Sequence, residues 1–219
     1  MHRESKSTAI LWIESARLVL RRMRTTDLEL FMAYRNDPRI ARLQGWETFT
    51  RKVSVAFLKE QQSREPFLPG QWLQIAITSK ATQSLIGDCA LKIHLEDPRQ
   101  ATIGITLAHG FHGQGFALEA AATLLNYAFE ELGLHRVRAD TDTRNTAAWR
   151  LLERLSRAAA ADRLVPVAAD GKHRRPQSEG AAALDPGRRR HRPARCLSRR
   201  NSQGGWRPRG SARSSCSRR

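Results

Sequence analysis

The sequence predicts an α+β domain, a mixed and mostly antiparallel sheet flanked by helices, followed by a basic C-terminal tail without structure. Three observations carry this. Between residues 72 and 107, three segments alternate apolar and polar residues and are joined by short polar connections, the pattern of an antiparallel meander. From Ala117 the apolar spacing changes to i, i+3, i+4, i+7 and holds over four turns. After Ser156 both periodicities stop and the composition turns to Arg, Ala, Gly, Pro and Ser.

The elements follow in order. Residues 1–14 read as a loose leader. Arg17–Met23 alternates Leu18 and Leu20 against Arg17 and Arg21, a strand. Thr26 and Glu29 form a capping-box pattern before Leu28, Phe31 and Met32, so a helix runs to about Asn36, where Asp37-Pro38 ends it. A second helix is expected over Val53–Gln62. Strands follow at Trp72–Ser79 (Leu73, Ile75 and Ile77 on one face), Leu85–His94 (Leu85, Cys89, Leu91 and Ile93, with Gly87 a bulge candidate) and Ala101–Leu107 (Ile103, Ile105 and Leu107). Ala117, Ala120, Ala121, Leu124, Leu125, Ala128, Phe129 and Leu132 make one helical face that Gly133 closes. His135–Thr141 reads as a strand. Ala148, Leu151, Leu152 and Leu155 give a last amphipathic helix with Asn145 near its start. Arg163–Val167 has some strand character, but Pro166 argues against a central position.

Charge separates the chain into two parts. Residues 157–219 hold 17 Lys and Arg against 4 Asp and Glu, so only +4 of the total +17 belongs to the first 156 residues. The extreme basicity therefore describes a tail, and specific nucleic-acid recognition is not expected, because the tail lacks interleaved aromatic residues. Such a tail cannot bury enough apolar surface to offset its ordering entropy. The three cysteines, Cys89, Cys196 and Cys216, have neither disulfide-framework nor metal spacing. No apolar run approaches the roughly 20 residues of a membrane helix. A cytoplasmic protein without membrane association is expected.

The segment with chemistry is Leu107-Ala108-His109-Gly110-Phe111-His112-Gly113-Gln114-Gly115-Phe116-Ala117. It reads as strand, glycine-punctuated turn and helix start. Glycines at 113 and 115 allow close backbone approach, and the first helical N–H groups lack intrahelical acceptors, which suits a bound pyrophosphate. Glycine spacing alone leaves even odds that the segment is merely a turn. His109 and His112 lie across glycines with no third ligand near, so a metal site is not expected.

The context of this loop resembles the GNAT superfamily of N-acetyltransferases. His112-Gly113-Gln114-Gly115-Phe116-Ala117 is similar to that family's motif A, Ile103-Gly104-Ile105-Thr106-Leu107 to its fourth strand, and Glu119-Ala120 to the start of the helix that follows. Asp142–Ala148 and Leu151–Leu155 resemble motif B, and Ser15–Arg21 resembles the opening strand. The resemblance covers residues 15–156 in the right order and is nearest to the Rim-type branch, which acetylates N-terminal α-amines of ribosomal proteins and, in relatives, small amines. It implies acetyl-coenzyme A as cosubstrate and a primary amine acceptor, either a protein N-terminus or a small molecule. The cofactor-binding residues implied are Leu107, Ala108, His109, His112, Gly113, Gln114, Gly115, Phe116, Ala117 and Asn145. The pyrophosphate would rest on the amides of 113–117, the pantetheine arm would pair with the strand edge near Leu107–His109, and a main-chain N–H at Leu107 or Ala108 would polarise the thioester carbonyl. Trp46, in Gln44-Gly45-Trp46-Glu47, occupies a region that borders the acceptor cleft in Rim-type relatives.

The chain also departs from that pattern. His112 replaces the usual Arg or Gln, Thr102 an acidic residue, Ala148 a common Ser, and Leu152 the tyrosine that often protonates the leaving thiolate. No general acid or base is identified. Glu119 is the remaining candidate base, outweighed about three to one by a helix-capping role; Asp140 and Asp142 are weaker. Leu155-Ser156-Arg157 stands where the family has Leu-Gly-Phe followed by two more strands, so residues 157–219 read as lacking those strands and fit a frameshift product. The alternative function is an inactive remnant whose tail binds polyanions.

Overall fold

The computed structural model describes residues 11–44, 46, 48–158 and 163–169. The element order is β1 (Trp12–Glu14), β2 (Leu18–Arg22), α1 (Leu28–Arg35), α2 (Pro38–Ala41), α3 (Arg51–Ser63), β3 (Trp72–Ser79), β4 (Leu85–Ile93), β5 (Gln100–Leu107), α4 (Phe116–Glu130), β6 (Arg136–Asp142), α5 (Thr146–Ala158) and β7 (Leu164–Ala169). The seven strands form one sheet in sequence order. Pairing is antiparallel from β1 to β5 and parallel for β5–β6 and β6–β7. The fold is the mixed, mostly antiparallel α+β sheet that the sequence predicts.

Side-chain alternation gives the sheet two covered faces. Leu18, Leu20, Ile75, Ile77, Cys89, Leu91 and Ile103 pack with Ala120, Leu124 and Ala128 of α4 and with Leu152 and Leu155 of α5. Met23, Ala76 and Leu85 pack on the other side with Phe31 and Tyr34 of α1 and Phe57 and Leu58 of α3. Each fully buried Leu or Phe of these faces contributes about 1.5–3 kcal/mol.

The second face also encloses charge. Asp88 accepts from Tyr34 Oη at 2.7 Å and from Arg35 Nη2 at 2.6 Å, with both ionic side chains at most 3% exposed. The Arg35 guanidinium lies 4.2 Å from the Trp46 ring centroid, and Trp46 Nε1 donates to the Arg35 carbonyl at 3.0 Å. Trp46 thus braces the end of α1.

Four expectations need correction. Residues 12–14 are not leader: they pair with Val19–Arg21 as an edge strand. Asp37-Pro38 does end α1, but the same pair starts α2, with Asp37 as N-cap accepting from Arg39 N–H and Pro38 at the first position, where a missing N–H costs nothing. Leu85 does not share a face with Cys89. The β3–β4 register slips between Ile77 and Thr78, whose partners are Gly87 and Leu85, so Ile86 is an extra residue and the parity of β4 switches there. The strand after α5 exists: Leu164–Ala169 pairs in parallel with Val137–Asp142. Pro166 is tolerated because β7 is the last strand of the described sheet, with β6 on one side only. Beyond residue 169 the expected unstructured tail lies outside the described residues.

Candidate functional site

The β5–β6 ladder ends at Ile103 and Ala139. Both strands continue, β5 to Leu107 and β6 to Asp142, each bonded only to its outer neighbour. The strands therefore part and leave a wedge whose β5 wall is main-chain edge from Gly104 to Leu107. Ala108 N–H donates to the Ile86 carbonyl at 2.8 Å. Antiparallel alternation then turns the N–H of Leu107 away from β4 and toward the wedge. Of the two amides expected to face a thioester carbonyl, Ala108 is thus already engaged and Leu107 is the one on offer.

Past Leu107 the chain makes a short 3-10 turn over His109–Phe111. It then passes through Gly113 at φ 75° and Gly115 at φ 82°, the left-handed region that favours glycine. A Cβ on Gly113 would meet nothing within 4 Å, so space is open beside this backbone. Gly115 is the N-cap of the 15-residue helix α4 and offers no side-chain cap. The N–H groups of the first turn are left to an outside acceptor, with the helix dipole behind them.

A cross-sheet clamp sets the loop in place. Arg17, just before β2, donates through Nη1 to the Gln114 carbonyl at 3.1 Å, and its guanidinium lies 4.3 Å over the Phe116 ring. Its Nε donates to Glu119 Oε2, while Glu119 Oε1 accepts from Arg17 N–H and Ser15 Oγ, all at 2.7 Å. Gln114 Nε2 closes the turn onto the Gly110 carbonyl at 2.7 Å. Burial alone would raise the Glu119 pKa, but these three donors outweigh it and hold the carboxyl below its ordinary value. Glu119 is therefore a poor proton acceptor, and its role is to fasten α4 to β2. Arg17 carries no local sequence signal of its loop-holding role, since its partners lie about a hundred positions away.

His112 Nε2 donates to the Leu107 carbonyl at 2.9 Å, since a carbonyl can only accept. Its ring lies 5.3 Å from that of His109. Asn145, across the wedge at the end of β6, caps α5 by accepting from Ala148 N–H at 3.1 Å. Asp142 accepts from Arg144 at 3.0 and 2.7 Å, which lowers its pKa to about 2, and Asp140 accepts from Arg138. Both carboxylates are thus occupied by arginines. Leu152 is buried in the core. Among the described residues no group of three or more His, Cys, Asp or Glu is placed to hold a metal, and no helix is long and apolar enough to cross a membrane.

The sequence profile of the acetyltransferase (GNAT) domain matches residues 17–156. The uncharacterized N-acetyltransferase p20 of Bacillus licheniformis is 34% identical over 140 residues, covering 64% of this chain and 78% of that protein. Among solved structures, a GNAT-family acetyltransferase from Bacillus anthracis superposes with a TM-score of 0.58 at 23% identity, covering 66% of this chain and 81% of that one. RimJ of Mycobacterium smegmatis, in complex with CoA-disulfide, gives a TM-score of 0.51 at 23% identity, covering 62% and 68%. The two structures establish likeness of fold.

Proposed function

From the premise that the chain belongs to the GNAT acetyltransferase family, we propose that it binds acetyl-coenzyme A in the β5–β6 wedge and acetylates a primary amine, on a protein N-terminus or a small molecule. The observation that carries this is the wedge itself, opening beside the uncapped start of α4. The residues present fit the group. An uncapped helix start with clear space at Gly113 suits a diphosphate, and a free β5 edge suits an amide-bearing arm. The solved RimJ complex with a coenzyme A derivative supports the same assignment.

Acetyl-coenzyme A would supply an acyl group activated as a thioester. The rest falls to the chain. The amides of residues 113–117 hold the anionic end, and Asn145 flanks the opposite side of the wedge. The Leu107 N–H, which faces the wedge, would stabilise charge developing on the acyl oxygen. His112 fixes the Leu107 carbonyl, in the peptide that follows this N–H. The gain comes from positioning and electrostatics, with the amine attacking directly. The test is acetyl-coenzyme A-dependent thiol release by the purified full-length chain with a panel of amines. Release that depends on the amine and is lost in Gly115→Trp supports the reading. Release that ignores the amine, or that survives in Gly115→Trp, contradicts it.

A further inference from the structure

The mouth of the wedge has a charge pattern of its own. Asp37, the N-cap of α2, takes both the N–H of Arg39 at 2.9 Å and its guanidinium at 2.6 Å, so Arg39 is neutralised. Three residues on, Arg42 is exposed, and among the described residues its guanidinium has no hydrogen-bond or ion-pair partner. On the opposite side Arg144 is pinned by Asp142, whose side chain is only 10% exposed behind it. Between them lies an open cleft of about 450 Å³, lined by Arg42, Leu43, Arg144, Asn145, Thr146 and Ala147. The lining contains two arginines and no acid. The cleft adjoins the wedge, since Asn145–Ala147 lie where β6 gives way to the start of α5.

We propose that this cleft selects acceptors in which a carboxylate lies close to the reacting amine, with Arg42 as the specificity-determining residue. The inference rests on the acetyl-transfer reading and adds a substrate class to it. An amine enters as an ammonium, and a purely cationic acceptor such as a polyamine meets Arg42 at its own charge. An acceptor that brings a carboxylate pairs with Arg42, which holds its amine at the mouth of the wedge. Two sources share this chemistry: a free amino acid, and a peptide N-terminus followed by Asp or Glu.

The experiment uses the full-length chain in about 0.15 M salt, where attraction to distant charges is screened. Three acceptors are compared: Ala-Asp-Glu-Gly amide, Ala-Lys-Lys-Gly amide and free glutamate. Binding is read by calorimetry without acetyl-coenzyme A, and turnover by thiol release with it. The expected result is a preference of about tenfold or more in KM for the peptide or amino acid bearing carboxylates, the scale of one close charge pair. Arg42→Glu should abolish or invert that preference, Arg42→Lys should retain part of it, and neither should change the affinity for acetyl-coenzyme A. Preference for the acidic peptide alone assigns a peptide terminus, and preference for glutamate alone assigns a free amino acid. Equal use of acidic and basic acceptors overturns the proposal. So does acidic-peptide binding that persists in Arg42→Glu, which would belong to other basic groups of a chain carrying +17. Acidic-peptide binding lost in Arg42→Glu, with no thiol release at all, would uphold the preference of the cleft while removing the acetyl-transfer reading.

Discussion

Glu119 shows how far a residue type is from a role. A carboxylate in the first turn of a helix that follows a glycine loop can be read as base or as helix partner, and only its neighbours decide. Three donors from Ser15 and Arg17 at 2.7 Å make it a fastener. Glu119→Gln should cost about 1–2 kcal/mol in urea unfolding, since charge-assisted bonds are lost but Arg17 is half-exposed and its share is screened. The pH dependence has a definite sign. The folded pKa lies below the free value of 4.5, so the stabilisation is complete above about pH 4.5 and is lost as pH falls through the folded value. The wild type should therefore lose more stability than Glu119→Gln on acidification from pH 6 toward 3. Parallel acid profiles for the two proteins would remove Glu119 from this role. The three donors were invisible in the sequence because Ser15 and Arg17 meet Glu119 only after the sheet has brought the start of the domain beside α4.

Strands and helices were mostly legible, because period 2 and period 3.6 are properties of the chain itself. Trp72–Ser79 has the expected bounds, and α4 begins one residue before Ala117. The failures lie where one residue changes the phase or a terminus finds a partner. Gly87 reads as a bulge candidate in the sequence, yet the consequence for Leu85 is not legible there, because parity depends on the register with β3. A Cβ on Gly87 would fall 2.2 Å from the Thr106 carbonyl oxygen and 2.8 Å from Leu107 Cα, backbone atoms that cannot move aside. Gly87→Ala should thus destabilise by about 3 kcal/mol or more, and it should also disturb the Leu107 amide. A substitution tolerated within 0.5 kcal/mol by denaturant titration would mean that the two strands do not approach so closely. At the candidate site, the glycine loop was legible from Gly113 and Gly115, whereas Arg42 was not. Its cleft is made by α2 and the start of α5, a hundred residues apart, and α2 itself looked like the end of another helix.

In the whole molecule the parting of β5 and β6 follows from how each side is held. β4 keeps β5 to its last residue, and β7 pairs with β6 through Asp142, so neither strand collapses when their mutual ladder stops. β7 thus matters to the wedge although it lies outside it. Leu164 is buried, Arg163 stacks on Phe129 at 3.9 Å, and the Arg163 carbonyl accepts from Val137 N–H at 2.7 Å. A chain ended after Asp162 should melt lower by about 5 °C or more, as expected from losing roughly 2–3 kcal/mol of burial and edge pairing. One ended after Gly171 retains β7 and should keep the Tm of the full-length chain. Equal melting of the two would deny β7 a place in the sheet. The most direct test of the site is calorimetric titration of acetyl-coenzyme A into the full-length chain at about 0.15 M salt, with Gly115→Trp alongside. Saturable one-to-one binding that disappears in Gly115→Trp is the result predicted by a wedge fed from the uncapped start of α4. No binding, or binding of equal strength in Gly115→Trp, would contradict it.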